Sequence, residues 1–223
     1  MHDVEAWLLE GRPARYVQLA TAASLEGEAS LRRWHDLGAQ AAQRLGVEQI
    51  VLDVRVRDDA FDPAHIAAVT GAGLVYLSGG NPQHLARTLI GTPLWQAIHA
   101  AWRSGASLAG CSAGAMALGG YVPDIRHPRQ GGQDGLGLVP SLRVLPHFDV
   151  YAKWIPDVVM RPLLTEGSTV VGIDEQTSLQ AEPPEDPMQP WQFRGVGRGS
   201  CWRIEADRKY RVNSPLALEV AVN

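Results

Sequence analysis

Apolar, β-rich segments that alternate with helical patterns predict an α/β protein, with a mostly parallel sheet covered on both faces. Length and composition agree. A chain of 223 residues with 45% hydrophobic residues is long enough for one well-buried α/β domain. No internal repeat or low-hydrophobicity tract divides it, so residues 1–223 are expected to form a single domain.

The elements follow in chain order. Strands are expected at Tyr16–Thr21, Gln49–Val54, Leu74–Leu77, Ser107–Ala109, Leu142–Val144 and Thr169–Ile173. Between the first two, Glu28–Leu45 reads as an amphipathic helix: Leu31, Trp34, Leu37, Ala41 and Leu45 recur at helical spacing, and Gly46 supplies a stop. Trp34 on that stripe reads as core, not as a binding aromatic. Pro63–Val69, Pro82–Ile90 and Pro93–Ser104 read as helices opened by a proline in the first turn. Their histidines, His65, His84 and His99, read as surface or packing residues. Another helix-forming run covers Ala115, Met116, Ala117 and Leu118. From Pro183 the character changes. Four prolines mark a loop, after which Gln192-Phe193-Arg194 and Cys201-Trp202-Arg203-Ile204 alternate like short antiparallel strands, read as a closing β hairpin.

Charge and cysteine content narrow the function classes. A formal net charge of -4 with scattered arginines gives no basic footprint for nucleic acid. No apolar run reaches membrane-spanning length, and Met1–Glu10 carries Asp3, Glu5 and Glu10 in place of the basic start and apolar core of a signal peptide. The two cysteines, Cys111 and Cys201, are too few for a disulfide framework and lack metal-ligand spacing. A reducing, cytoplasmic setting is the expectation.

The sharpest local signal is Gly110-Cys111-Ser112-Ala113-Gly114, a G-x-S-x-G placed between a strand and a helix-forming run. A serine at a tight strand-to-helix turn has its hydroxyl lifted clear of the sheet, and small neighbours leave room for a strained backbone and an approaching substrate. Ser112 is therefore the candidate nucleophile. A bare G-x-S-x-G also marks a plain turn where a helix packs on a strand.

A serine hydroxyl needs a base to take its proton and a third group to orient that base. Among seven histidines, His147 stands just past an apolar strand in Leu145-Pro146-His147-Phe148, where sheet ends deliver functional side chains. Glu175 follows the strand Thr169–Ile173 in the same way, with Asp174 and Asp124 as rivals for the acid. A carboxylate after a strand serves equally as a turn residue or helix cap. Two backbone donors are needed for the oxyanion. The Ala113 amide directly after the nucleophile is one, and Ser78-Gly79-Gly80-Asn81, between a strand and a proline-started helix, is the source of the other. The same loop also reads as a simple turn or a weak anion site.

Taken in order, Tyr76-Leu77-Ser78-Gly79-Gly80-Asn81, Ala109-Gly110-Cys111-Ser112-Ala113-Gly114-Ala115, Leu145-Pro146-His147-Phe148 and Gly172-Ile173-Asp174-Glu175 resemble the peptidase E and cyanophycinase family of serine peptidases. The resemblance runs from about Tyr16 to Leu179. It implies a three-layer α/β sandwich similar to class I glutamine amidotransferases, with Ser112 as nucleophile, His147 as base and oxyanion donors at Gly80 and Ala113. Gly79 and Asn81 would flank the substrate. For the acid, the cyanophycinase pattern points to Glu175, which is favoured, and the peptidase E pattern to an aspartate soon after the nucleophile, nearest Asp124. No metal or organic cofactor is implied.

Departures from the family pattern bear on specificity. Members that cleave after aspartyl groups carry arginines shortly beyond the His-Phe pair, since a bidentate guanidinium matches a carboxylate. Here Asp149 to Pro156 offers only Lys153, while Tyr151 and Trp154 suit an apolar or aromatic side chain. Arg126, His127 and Arg129 read either as a grip on a peptide carboxylate or as solvated loop charges. The glycine-rich opening strand of the family has no counterpart before Tyr16, which leaves a homodimer open. The expected activity is a serine exopeptidase acting on short peptides, dipeptidase-like and not restricted to aspartyl substrates. A cyanophycinase-like β-aspartyl or isopeptide hydrolase, an esterase, and an inactive binding protein on the same fold are the alternatives. A further alternative, an amidotransferase-like site with Cys111 as nucleophile, is disfavoured because that side chain precedes the elbow and should point away from the cleft.

Overall fold

The computed structural model describes residues 2–124, 131–151, 160 and 162–221. The chain falls into two compact units, His2–Ala115 and Met116–Asn223. Among the described residues no helix is long and apolar enough to cross a membrane.

In the first unit the order is α1 (His2–Leu9), β1 (Arg15–Leu19), α2 (Glu28–Leu45), β2 (Glu48–Leu52), α3 (Pro63–Ala68), β3 (Leu74–Leu77), α4 (Pro82–Leu89), α5 (Pro93–Arg103), β4 (Ser107–Gly110) and the start of α6 (Ala113–Leu118). The four strands form a parallel sheet in the order β2-β1-β3-β4, with Leu19 beside Leu77 and Leu77 beside Gly110. Helices flank this sheet, as the sequence predicts. Connections leave β1 and β3 toward opposite sides of the sheet, and such a switch point at the carboxyl ends of parallel strands is where α/β sheets open a crevice.

The helix boundaries are written locally. Helix α2 has the predicted limits and stops at Gly46 in the left-handed conformation, whose amide bonds back to Ala42 and Gln43 carbonyls. Helices α3, α4 and α5 each begin with proline after an Asp62, Asn81 or Thr92 cap, whose side chain accepts the amide hydrogen of Ala64, His84 or Trp95. Tyr16, Leu74, Tyr76 and Ala109 turn to one face, against Leu8 and Leu9 of α1 and Ala42 of α2. Gln18 is buried on β1 and fully engaged: its amide donates to the Trp34 carbonyl and Ser78 Oγ at 2.8 and 3.1 Å, and its oxygen accepts from Gln49. Helix α1 and the short 3-10 turns at Thr21–Glu26 and Arg57–Phe61 are additions to the expected elements. Thr21, expected at the end of β1, opens the first of those turns.

The second unit holds β5 (Tyr121–Pro123), β6 (Gly132–Asp134), β7 (Leu142–Pro146), α7 (Phe148–Tyr151), β8 (Thr169–Ile173), β9 (Thr177–Gln180), β10 (Trp191–Gly197), β11 (Cys201–Ile204), β12 (Lys209–Arg211) and β13 (Leu216–Leu218). Strands β7 and β8 run parallel, and β11 and β12 extend that sheet antiparallel in the order β12-β11-β8-β7. Its core is Leu145, Phe148, Leu163, Val170 and Ile204. The C-terminal hairpin is present as β11 with β12. The pairing within the tail differs from the expected one, however: β10 bonds to β9 and β13, not to β11. Alternating residues mark a strand but carry no information about its partner.

Candidate active site

In the first unit, the carboxyl ends of β3 and β4 bring together the Ser112 turn and the Ser78–Asn81 loop. Ser112 has φ +49°, in the left-handed region that side-chain-bearing residues rarely enter. Its neighbours explain how the turn closes. A Cβ on Gly110 would lie 2.4 Å from the Gly114 carbonyl carbon, and one on Gly114 would lie 2.1 Å from the Leu77 carbonyl oxygen. Both glycines are therefore fixed by backbone that cannot step aside, and the turn is pinned further by the Cys111 amide on Leu77 O and the Gly114 amide on Cys111 O.

The opposing loop is equally constrained. A Cβ on Gly79 would lie 2.7 Å from the Trp34 indole and 3.4 Å from Ser112 Cβ. Gly80 has φ +136°, and a Cβ there would meet the Ala22 carbonyl at 2.3 Å. The Asn81 amide donates to Ala22 O at 2.7 Å, and Asn81 Oδ1 caps α4 through the His84 amide. Neither the Gly80 nor the Ala113 amide takes part in the turn, loop and cap bonds among the described residues. The Cys111 sulfur lies near the Gly79 amide and the Tyr76 hydroxyl. Burial nevertheless pushes the Cys111 thiol above its ordinary range, which disfavours the thiolate that a cysteine nucleophile requires. Trp34 is half-buried, packing on Ala20, Ala23 and Leu31 as well as on Gly79.

In the second unit, the register places Pro146 beside Ile173, so His147 and the Asp174-Glu175 pair leave the sheet at the same edge. His147 also has a left-handed backbone, φ +52°, and its carbonyl accepts the amides of Val150 and Tyr151 as α7 begins. Its Nδ1 lies 3.1 Å from Glu175 Oε1, with the two side chains 40% and 53% exposed. The Glu175 amide donates to Asp149 Oδ1 at 3.0 Å. Tyr151 stands edge-on to the imidazole at a ring separation of 6.0 Å.

Of the rival acids, Asp174 has its own partners. Asp174 accepts the Trp202 indole N–H at 3.0 and 3.1 Å and the Ser200 amide at 2.9 Å. Asp124 follows β5, and its amide donates to Gly131 O. Arg126 and Lys153, and with them His127, Arg129 and Trp154, lie outside the described residues. Asp149, which accepts the Glu175 amide, and Trp202, which donates to Asp174, were not singled out by sequence. Asp149 had a signal in its place two residues after His147; Trp202 had none. Among the described residues no group of three or more His, Cys, Asp or Glu side chains converges as a metal site would.

Comparisons with known proteins bear on the family and the fold. The model of peptidase family S51 matches residues 33–184. The chain is similar to the cyanophycinase of Synechococcus elongatus, at 30% identity over 215 residues, covering 88% of this chain and 62% of the relative. It thus spans about three fifths of the length of that curated relative. Among solved structures it is similar to a peptidase from an acI-B1 Actinobacterium, with a TM-score of 0.83 and 38% identity, covering 97% of this chain and 90% of the other. A candidate peptidase E protein from Listeria monocytogenes EGD-e shares the fold at a TM-score of 0.57 and 16% identity, with 92% and 88% of the chains covered.

Proposed function

The chain belongs to peptidase family S51, and from that premise we propose that it is a serine peptidase hydrolysing short peptides through an acyl-enzyme on Ser112. The observation that carries this reading is the Ser112 backbone, a non-glycine residue at φ +49° between two glycines that admit no Cβ. A strained, half-buried serine at a strand-to-helix turn is a form a nucleophile takes, and such strain persists only where the surroundings enforce it.

In this reading His147 is the general base. Glu175 accepts the Nδ1 hydrogen, which leaves Nε2 to take the proton from Ser112 Oγ as the oxygen attacks the scissile carbonyl. The Gly80 and Ala113 amides hold the developing oxyanion. The imidazolium then protonates the departing amine, and a water molecule activated by the same histidine releases the acyl group. The acid role goes to Glu175 over Asp174 because Asp174 is committed to Trp202 and Ser200.

Substrate size and side chain belong to the same proposal. Val150 and Tyr151 are 50% and 55% exposed next to His147, an apolar surface that favours an apolar or aromatic side chain over an acidic one. An exopeptidase of dipeptide-like substrates in a reducing, cytoplasmic setting fits the free thiols Cys111 and Cys201. A second reading, cleavage of β-aspartyl or isopeptide bonds, is favoured by the 30% identity to a cyanophycinase. A panel of dipeptides, longer peptides, and aspartyl and β-aspartyl-arginine members, incubated with wild type and Ser112→Ala and resolved by mass spectrometry, separates the two. Products with wild type alone support the serine mechanism and name the bond. Products from both proteins, or from neither, remove it.

A further inference from the structure

An exposed histidine–carboxylate pair holds little geometry by itself, because two flexible side chains in water gain little from each other. The His147–Glu175 pair is such a case, so the backbone at each end bears on its alignment. Glu175 is followed by Gln176 at φ +54° and preceded by Asp174, whose own amide donates to Ser200 O at 3.1 Å. His147 is followed by Phe148, which lies on Gly172: a Cβ there would meet the phenyl ring at 2.4 Å.

One side chain reaches both neighbours. We propose that Trp202 is a positioning residue for the His147–Glu175 pair: its indole N–H fixes Asp174, one residue before Glu175, while its ring packs against Phe148, one residue after His147. The indole nitrogen lies 3.0 and 3.1 Å from the two Asp174 oxygens, and the Phe148 and Trp202 rings are 6.5 Å apart, tilted by 41°. Lys209, across the hairpin turn, places its ammonium 5.1 Å from the Phe148 ring and 5.9 Å from the Trp202 ring, closing the cluster from outside. The register puts Trp202 of β11 opposite Gly172 of β8, the glycine on which Phe148 lies.

Trp202 lies beyond residue 184, where the family match ends. The C-terminal hairpin is thereby assigned a part in the chemistry and not only in closing the sheet edge. It acts through other residues, since its indole N–H bonds the Asp174 carboxylate. The inference rests on the reading of His147 and Glu175 as base and orienting acid.

Trp202→Phe keeps an aromatic ring on Phe148 and removes the N–H. The full chain would be compared with wild type for kcat and KM on a cleaved peptide, and for the His147 tautomer by long-range proton–nitrogen correlation, the signal being assigned by its loss in His147→Gln. The expected result is a folded variant with kcat lowered about tenfold, KM within about twofold, and the imidazole moved from a dominant Nδ1–H tautomer toward a mixture. A folded Trp202→Phe with wild-type kcat and tautomer overturns the proposal, since a purely structural role would alter only stability. If that variant does not fold, Asp174→Ala cuts the same link from the other end and is judged by the same signature. Should wild type cleave no peptide, the catalytic reading falls, and the tautomer comparison alone decides the positioning role.

Discussion

Ser112 and His147 share a backbone conformation: each follows a strand, and each holds a non-glycine residue at φ near +50°, at +49° and +52°. A Cβ in that region costs roughly 1–2 kcal/mol. That two of the three such residues among those described are the candidate nucleophile and base argues that the strain is tied to the site.

The first prediction inverts an ordinary ranking. In helices and strands alanine is more stabilising than glycine, but at a left-handed position glycine escapes the Cβ penalty. Ser112→Gly should therefore be more stable than Ser112→Ala by about 1 kcal/mol in denaturant unfolding. Both should lose hydrolysis, by on the order of 10⁵-fold in kcat. Equal stabilities would mean that the Ser112 turn is relaxed.

The flanking glycines give a second prediction. Gly114→Ala places a methyl 2.1 Å from the Leu77 carbonyl, a backbone atom held in the β3–β4 ladder, so β4 or α6 must shift. A loss of about 3 kcal/mol is expected from overpacking of this kind. Gly46→Ala is the control, with φ +66° but open space around it, and should lose only about 1 kcal/mol. Comparable losses at the two sites would show that the close approach at Gly114 yields easily.

Much of this architecture was legible in the chain because its signals are local. Gly46 ends α2, prolines open three helices, and β3 and β8 occupy the predicted residues, since short apolar runs bounded by turn residues need no distant partner to be recognised. The serine turn was legible for the same reason. What was not legible depends on long-range partners. Asp174 and Glu175 are adjacent carboxylates after one strand, and alternation sends them to opposite sides, but distant partners, the Trp202 indole and the Ser200 amide, mark the side Asp174 takes. The partner of β10 was hidden likewise, as was the left-handed turn at His147, where no glycine announces it.

A third prediction separates the candidate acids. Glu175→Gln keeps the size of the side chain and a carbonyl that can still accept from Nδ1, but removes the charge that stabilises the imidazolium. It should lower kcat on the order of 10²-fold or more with little change in KM, by analogy with amide substitutions in such triads. Asp124→Asn should leave kcat within about threefold, since Asp124 is not the acid in this reading. The opposite ranking would move the acid to Asp124.

The thiols supply the last prediction, through their pH dependence. Burial, followed by the nearby Asp174 charge, raises the Cys201 thiol from 9.0 to about 11, and burial raises Cys111 as well. A group whose pKa is raised by folding binds its proton more tightly in the native state, so its contribution is complete below the unfolded value and is lost as pH climbs through the folded one. Unfolding midpoints should therefore hold steady up to about pH 9 and fall between there and about 11. Tyr16 and Tyr76, both raised chiefly by burial, add to the fall with the same sign. Cys201→Ala should reduce the slope without removing it. The same protonation makes both thiols slow targets for iodoacetamide at pH 8, and under the proposed Ser112 mechanism hydrolysis should survive the treatment. Loss of activity in step with alkylation of Cys111 would instead assign the nucleophile to sulfur and overturn the serine mechanism.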